Sequence, residues 1–231
     1  MLHYETVSPS LLKVLKKLMS YSELGNFRLV GGTAMSLLTG HRISVDIDLF
    51  TESAFDSLEL ERFIRTIYPT AILQFRTSHG LSFEIEDVKV DMFNWNVPFI
   101  RPFVNEDNLR ISALADIAAF KLDAITSRKE MKDYWDIATL LNHFSFAEMV
   151  VFYKNKYPYN STKMVLEALS EYDKVVKIPI KTLGNETWET TCAKVNAALQ
   201  SYFQEIMTEK QRLIEVKEAR IIELIKKKKE K

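Results

Sequence analysis

The chain has 231 residues, 47% hydrophobic and 27% charged, with 31 Lys plus Arg against 31 Asp plus Glu and a formal net charge of +0. That is enough for one large domain or two modest ones with a buried core, and neutrality excludes a global field for nucleic acid, so any such contact needs a local patch. A single cysteine, Cys192, excludes an internal disulfide framework and fits a reducing compartment.

The opening MLHYETVSPS has neither a basic start nor an apolar core, and the chain has no apolar run of the roughly 18 residues a span needs, so neither a signal peptide nor a membrane helix is expected and the location is read as cytoplasmic. SPSLLKVLKKLMSYSEL reads as a first helix, capped by Ser8 or Ser10, with an apolar stripe of Leu11, Leu15 and Leu18, and stopped at Gly25-Asn26. FRLV is a short strand running into Gly31-Gly32, and TAMSLLTG a short helix closed by Gly40. VDIDLF is a strand with clean alternation. DSLELERFIRTIY is a helix presenting Leu60, Phe63, Ile64 and Ile67 inward. AILQFRT, LSFEIE and KVDMFNW are three extended segments joined by turns at His79-Gly80 and Glu86-Asp87. RPFVNEDNLRI is read as a connector. From Ser112 the pattern is helical through four segments ending near Val175, then irregular to Trp188, then one long helix into the tail KKKKEK, which is read as a fraying, solvated end with RNA contact as its alternative. The organisation predicted is an α/β core over 1–97 and a helical part over 98–231.

Strand alternation puts Asp46 and Asp48 on one side of VDIDLF, with Val45, Ile47 and Leu49 directed to the core on the other. Two carboxylates so close repel, and burying either alone costs several kcal/mol. A divalent cation removes both problems, and Mg²⁺ favours carboxylates combined with substrate phosphates; the alternative is a solvated sheet edge. Gly31, Gly32 and Thr33 follow a strand and open a helix, an arrangement that suits an anion, although many such turns use glycine for geometry alone. Asp91, on KVDMFNW, is either a third metal carboxylate or a partner in an ion pair with Arg or Lys. Lys121 falls on the packed side of its helix and needs an anionic partner. With Arg128, Lys132, Asp133 and Asp136 it forms either a triphosphate clamp or a buried salt-bridge network locking the helices. His41 reads as a turn residue rather than a ligand, and Trp95 and Trp135 as core or pocket wall.

LVGGTAMSLLTGHRISVDIDLF closely resembles the AbiEii/AbiGii toxin family of nucleotidyltransferases, within the DNA polymerase β-like superfamily. Gly31, Gly32, Thr33, Ala34, Arg42, Ser44, Asp46, Asp48 and Phe50 carry the first motif, and FKLDAITSRKEMKDYWDIATLL, within 112–142, resembles the distal one. The resemblance implies an α+β fold, a mixed β-sheet flanked by helices and followed by a helical C-terminal bundle. It implies Mg²⁺-dependent (or Mn²⁺-dependent) transfer of a nucleoside monophosphate from an NTP with release of pyrophosphate. In that reading Asp46, Asp48 and Asp91 hold metal, and Gly31, Gly32, Thr33, Arg42, Ser44, Lys121, Arg128 and Lys132 serve the nucleotide. Asp133 acts as a base or orients the acceptor. Some relatives modify the tRNA acceptor end as toxins held in check by an antitoxin, which implies an RNA acceptor and an antitoxin partner here. The competing readings are a catalytically silent nucleotide- or partner-binding module and a helical adaptor that docks through residues 145–231.

Overall fold

The structure is a computed structural model that describes the backbone of residues 1–229 and the side chains of residues 1–221. Seven strands form one mixed sheet in the order β3-β4-β5-β2-β1-β7-β6. They are β1 (Arg28–Val30), β2 (Asp46–Thr51), β3 (Ile72–Arg76), β4 (Gly80–Ile85), β5 (Val88–Asn94), β6 (Val104–Glu106) and β7 (Leu109–Ile111). Helices α1 (Pro9–Met19), α2 (Gly31–Thr39) and α3 (Ser57–Ile67) accompany the first strands. Helices α4 (Leu114–Ser127), α5 (Met131–Leu140), α6 (Phe146–Lys156), α7 (Thr162–Ser170) and α8 (Trp188–Lys229) follow the sheet.

The central pairing is β2 with β5, parallel, and it sets Asp48 opposite Asp91 and Asp46 opposite Lys89. On the other side β2 pairs antiparallel with β1, with Val30 opposite Asp48. Alternation then sorts the faces. Ile47, Leu49, Val88, Val90 and Met92 are buried in the core that α1 helps to cover, while Asp46, Asp48, Asp91 and Phe93 stand on the other face. Phe120 of α4 packs against Phe50 on that second face, with ring centroids 5.5 Å apart.

Several predicted boundaries move. RPFVNEDNLRI is not a connector: β6 and β7 form a hairpin that adds to the sheet beside β1, so the sheet extends past residue 97 to Ile111. Its two-residue turn, Asp107-Asn108, has both residues at positive φ, the geometry a tight hairpin requires. Helix α1 stops one turn early, where the Ser20 hydroxyl bonds the Lys17 carbonyl at 2.7 Å and competes with the helical pattern. Val45 lies before the strand and is exposed rather than core-facing. The turn at Glu86-Asp87, the Ser8 cap of α1 and the Gly40 end of α2 are as the sequence predicts. The backbone of α8 is helical to Lys229; the expected fraying and RNA contact of residues 226–231 fall on side chains outside the described residues. Among the described residues no helix is long and apolar enough to cross a membrane.

A buried pair that the sequence does not announce ties the helical part to the sheet. Asp116 of α4 accepts from the backbone N–H groups of Ile100 and Arg101 at 2.8 and 3.0 Å, and Lys156 of α6 reaches it at 3.1 Å. The Lys156 ammonium also bonds the Pro98 carbonyl and lies over the rings of Phe99 and Phe120. This fixes the segment between β5 and β6 against α4, the helix that forms one wall of the cleft described next.

Candidate active site

Between the sheet and α4 lies a cleft of about 290 Å³. Its sheet wall is made by Val30, Gly31, Asp48, Phe50, Asp91, Phe93 and Trp95, and its helix wall by Phe120, Lys121, Asp123, Ala124, Ser127 and Arg128. The two walls differ in charge. Desolvation by its surroundings, with repulsion from Asp91 and Asp46, pushes the Asp48 carboxyl up to about 6. Among the described residues no side chain hydrogen-bonds or ion-pairs with the carboxylates of Asp46 or Asp48. Asp91 is engaged: Ser82 Oγ donates to it at 2.5 Å and Lys89 Nζ at 2.7 Å. The alternative reading of Asp91 as an ion-pair partner therefore describes its contacts, while its register still places it opposite Asp48.

The helix wall is the outer end of a buried ion network. Arg42 clasps Asp136 through Nε and Nη2 at 2.7 and 2.9 Å, and His41 Nε2 meets the same carboxylate at 2.7 Å. Lys121 reaches Asp136 at 2.5 Å and Asp133 at 2.8 Å. Arg128 spans both Asp133 oxygens at 3.0 and 3.2 Å. Burial alone would raise both aspartates. Arg42 and Lys121 outweigh it and hold Asp136 well below the usual carboxylate range, and Lys121 and Arg128 hold Asp133 low. Burial likewise opposes the charge on Lys121, but Asp136 and Asp133 override it and raise its affinity for the proton. Within this network three cations face two carboxylates, and Lys121 and Arg128 present their charge at the cleft, on the same wall as the Asp123 carboxylate.

This placement sorts the predicted residues. Asp48, Asp91, Gly31, Lys121 and Arg128 meet at one cleft, with Asp46 two residues along the same strand face. Arg42, Ser44 and Thr33 do not line it. Arg42 is spent on Asp136, and Thr33 Oγ1 is 2.8 Å from Ser44 Oγ and also bonds the Asp46 carbonyl oxygen, anchoring the start of β2. Lys132 turns to Glu130 at 2.9 Å. Asp133 is no free base, because both of its oxygens are occupied and it is fully buried. The two glycines serve protein side chains: a Cβ on Gly31 would meet the Asp48 carboxylate, and one on Gly32 the Arg42 guanidinium. Gly31 also has φ +68, so Gly31→Ala is expected to cost about 1–2 kcal/mol of backbone strain and to displace Asp48. Chemical denaturation of the variant checks the first and its Mg²⁺ affinity the second.

Apart from Trp95, the aromatic lining is not announced by the sequence. Phe50 stacks on Trp95 at 5.0 Å and 11°, and Phe93 meets Phe50 edge-on at 5.9 Å. For the helix wall, helical spacing is the available signal, since Phe120, Lys121, Asp123, Ala124 and Ser127 share one side of α4 and Arg128 follows at its end.

The sequence profile described as "Nucleotidyl transferase AbiEii toxin, Type IV TA system" matches residues 13–211, which contain both walls of this cleft. The chain belongs to the AbiEii family. It is thereby placed among the nucleotidyltransferase toxins of type IV toxin–antitoxin systems, a membership that brings a nucleotide substrate and an antitoxin partner. A protein of Aquifex aeolicus (strain VF5), aq_aa25, is 29% identical over 167 residues, 70% of this chain and 81% of its own. Two solved structures share the fold. JHP933 from Helicobacter pylori is 18% identical and superposes with a TM-score of 0.55, covering 91% of this chain and 99% of its own. The antibiotic-resistance factor ANT(2'')-Ia is 15% identical with a TM-score of 0.51, over 71% of this chain and 98% of its own. At these identities the likeness is one of fold, and it agrees with the α+β architecture expected of an AbiEii chain.

Proposed function

We propose that this AbiEii-family chain moves a nucleoside monophosphate from an NTP, with Mg²⁺, to the 3′ end of an RNA acceptor of the tRNA type, and that an antitoxin opposes the resulting toxicity. One observation carries the reading: a strand wall holding Asp48, which lacks a protein partner, and Asp91, with the equally unpartnered Asp46 two residues along the same strand face, looks across a single cleft at the Lys121 and Arg128 side chains. In the proposal residues 1–97 supply the carboxylates and residues 98–231 the cations.

The donor set fits a magnesium ion. Among the described residues no three His, Cys, Asp or Glu side chains are gathered as a ready-made cage. Mg²⁺ does not need one: it takes one or two carboxylates, completes its shell with waters and substrate phosphates, and dehydrates reluctantly. Asp46 and Asp48 would hold it, with Asp91 as the third carboxylate where Lys89 gives way; Mn²⁺ suits the same oxygens. Bound there, the ion would neutralise phosphate charge and polarise the reacting oxygens. Lys121 and Arg128, braced by Asp133, are set to hold the triphosphate from the opposite side. The acceptor hydroxyl oxygen bonds to the α-phosphorus, the bond from that phosphorus to the oxygen bridging it to the β-phosphorus breaks, and pyrophosphate leaves. The hydroxyl proton passes to the carboxylate side of the cleft. The chain's contribution is positioning and charge placement rather than covalent catalysis.

Incubation with each α-labelled NTP, total cellular RNA and total cellular protein tests the proposal. Label is expected in RNA of tRNA size, only with Mg²⁺ or Mn²⁺. Label in no polymer, or label that persists in Asp46→Asn and Asp48→Asn, rejects it; label in protein alone keeps the transfer and rejects the RNA acceptor. The silent-module reading predicts instead NTP binding by calorimetry without any turnover.

A further inference from the structure

The cleft contains a carboxylate that this transfer chemistry does not use. Asp123 lies on the helix wall, beside Phe120 and five residues before Arg128. One of its oxygens accepts from Asn160 Nδ2 at 3.1 Å, and among the described residues no side chain donates to the other. Burial raises its carboxyl above the ordinary aspartate range. Across from it, Trp95 is held in place by donating its indole N–H to the Tyr157 hydroxyl at 3.0 Å and by stacking on Phe50. A triphosphate lodged between Asp48 and the Lys121–Arg128 pair leaves its nucleoside the rest of the same cleft. That remainder includes the rings of Phe50, Phe93, Trp95 and Phe120 and the Asp123 carboxylate. Flat faces and one fixed acceptor are the elements that recognise a heteroaromatic ring bearing an N–H group.

Resting on the transfer reading above, we propose that Asp123 is a specificity-determining residue that reads the nucleobase of the NTP and favours bases carrying an exocyclic amine over their amine-free counterparts. The chemistry is one-sided. A carboxylate is an acceptor only, so an amine edge satisfies it, while a carbonyl edge brings two acceptors together in a partly desolvated site. Sites built on such a bond discriminate strongly, because the wrong ligand leaves a polar group unpaired. Asn160 is a positioning residue in this account, fixing one oxygen so that the other faces the ring.

Nucleotide binding tests this without requiring turnover. Calorimetry in Mg²⁺ buffer compares CTP with UTP, and ATP and GTP with ITP, for the full chain and for Asp123→Asn and Asn160→Ala. At least one amine-bearing nucleotide is expected to bind about tenfold more tightly than its counterpart, the worth of one hydrogen bond to a charged group. Asp123→Asn is expected to erase or invert that ratio, because an amide can turn its N–H₂ toward a carbonyl; a merely structural role would weaken every nucleotide alike. Asn160→Ala should shrink the ratio while keeping its direction. Equal affinities within every pair, or a ratio unchanged in Asp123→Asn, overturn the inference, and so does failure to bind any nucleotide. An intact ratio without transfer to any polymer would sink the enzymatic reading and leave this one standing.

Discussion

Asp48→Asn is expected to abolish nucleotide transfer and, in the same molecule, to stabilise the metal-free protein. Both effects come from one carboxylate. Its pKa is pushed from 3.8 up to about 6 because desolvation and the neighbouring Asp91 and Asp46 disfavour its charge. A raised carboxyl makes the folded state hold its proton longer than the unfolded chain does. The penalty is therefore absent below about pH 4, grows as pH rises through 4 to 6, and is complete above that range. Each tenfold gain in proton affinity is worth about 1.4 kcal/mol, so the penalty amounts to about 2–3 kcal/mol at pH 8. Asparagine carries no such penalty. In chelator the variant should melt higher than the parent at pH 8 and alike at pH 4. Added Mg²⁺ should raise the parent's melting temperature more than the variant's, since binding to the folded state alone stabilises it. Transfer should fall by about three orders of magnitude, equivalent to about 4 kcal/mol of barrier, as the ion loses its best-placed oxygen. A variant that keeps its activity, or that is less stable at pH 8, would contradict the account.

That opposition of stability and function explains which parts of the site were legible in the sequence. A strand spending alternate positions on Asp46 and Asp48 while burying Ile47 and Leu49 gains nothing in folding from its acids, so the pattern reads as chemistry. Lys121 on an apolar helix side likewise announced a buried partner. What could not be read is whether a given residue faces the ligand or supports one that does. Gly31-Gly32 looked like a phosphate turn, yet the space under the two glycines is taken by Asp48 and Arg42. Arg42 and Asp136, separated by 94 residues, and Asp116 and Lys156, separated by 40, meet only once the helices have packed. The β6–β7 hairpin carried its signal in Asp107-Asn108, but strands of three residues show too little alternation to reveal themselves.

Removing the support should be as damaging to the fold as removing the metal carboxylate is to the chemistry. Asp136→Asn would leave Arg42 and Lys121 without the anion that both hold, in a place where neither can recover water. Breaking one side of a buried pair costs about 3–5 kcal/mol, because the stranded charge stays desolvated. The pH dependence runs opposite to that of Asp48. Burial works to raise the Asp136 carboxyl, but Arg42 and Lys121 hold it far lower, so its stabilisation is complete above the ordinary aspartate range near pH 4 and fades as pH falls below it. Urea unfolding should therefore separate parent and variant widely at pH 7 and narrow the gap at pH 2.5. Replacing the clasp on both sides by apolar residues, Arg42→Met with Asp136→Leu, should recover part of the loss, since a well-packed apolar pair avoids the desolvation of two ions. The double variant should nonetheless transfer nucleotide poorly. Lys121 would then lean on Asp133 alone, and the positive charge facing the triphosphate would no longer be held in place. Full activity in a stable double variant would show that the network serves the fold and not the cleft.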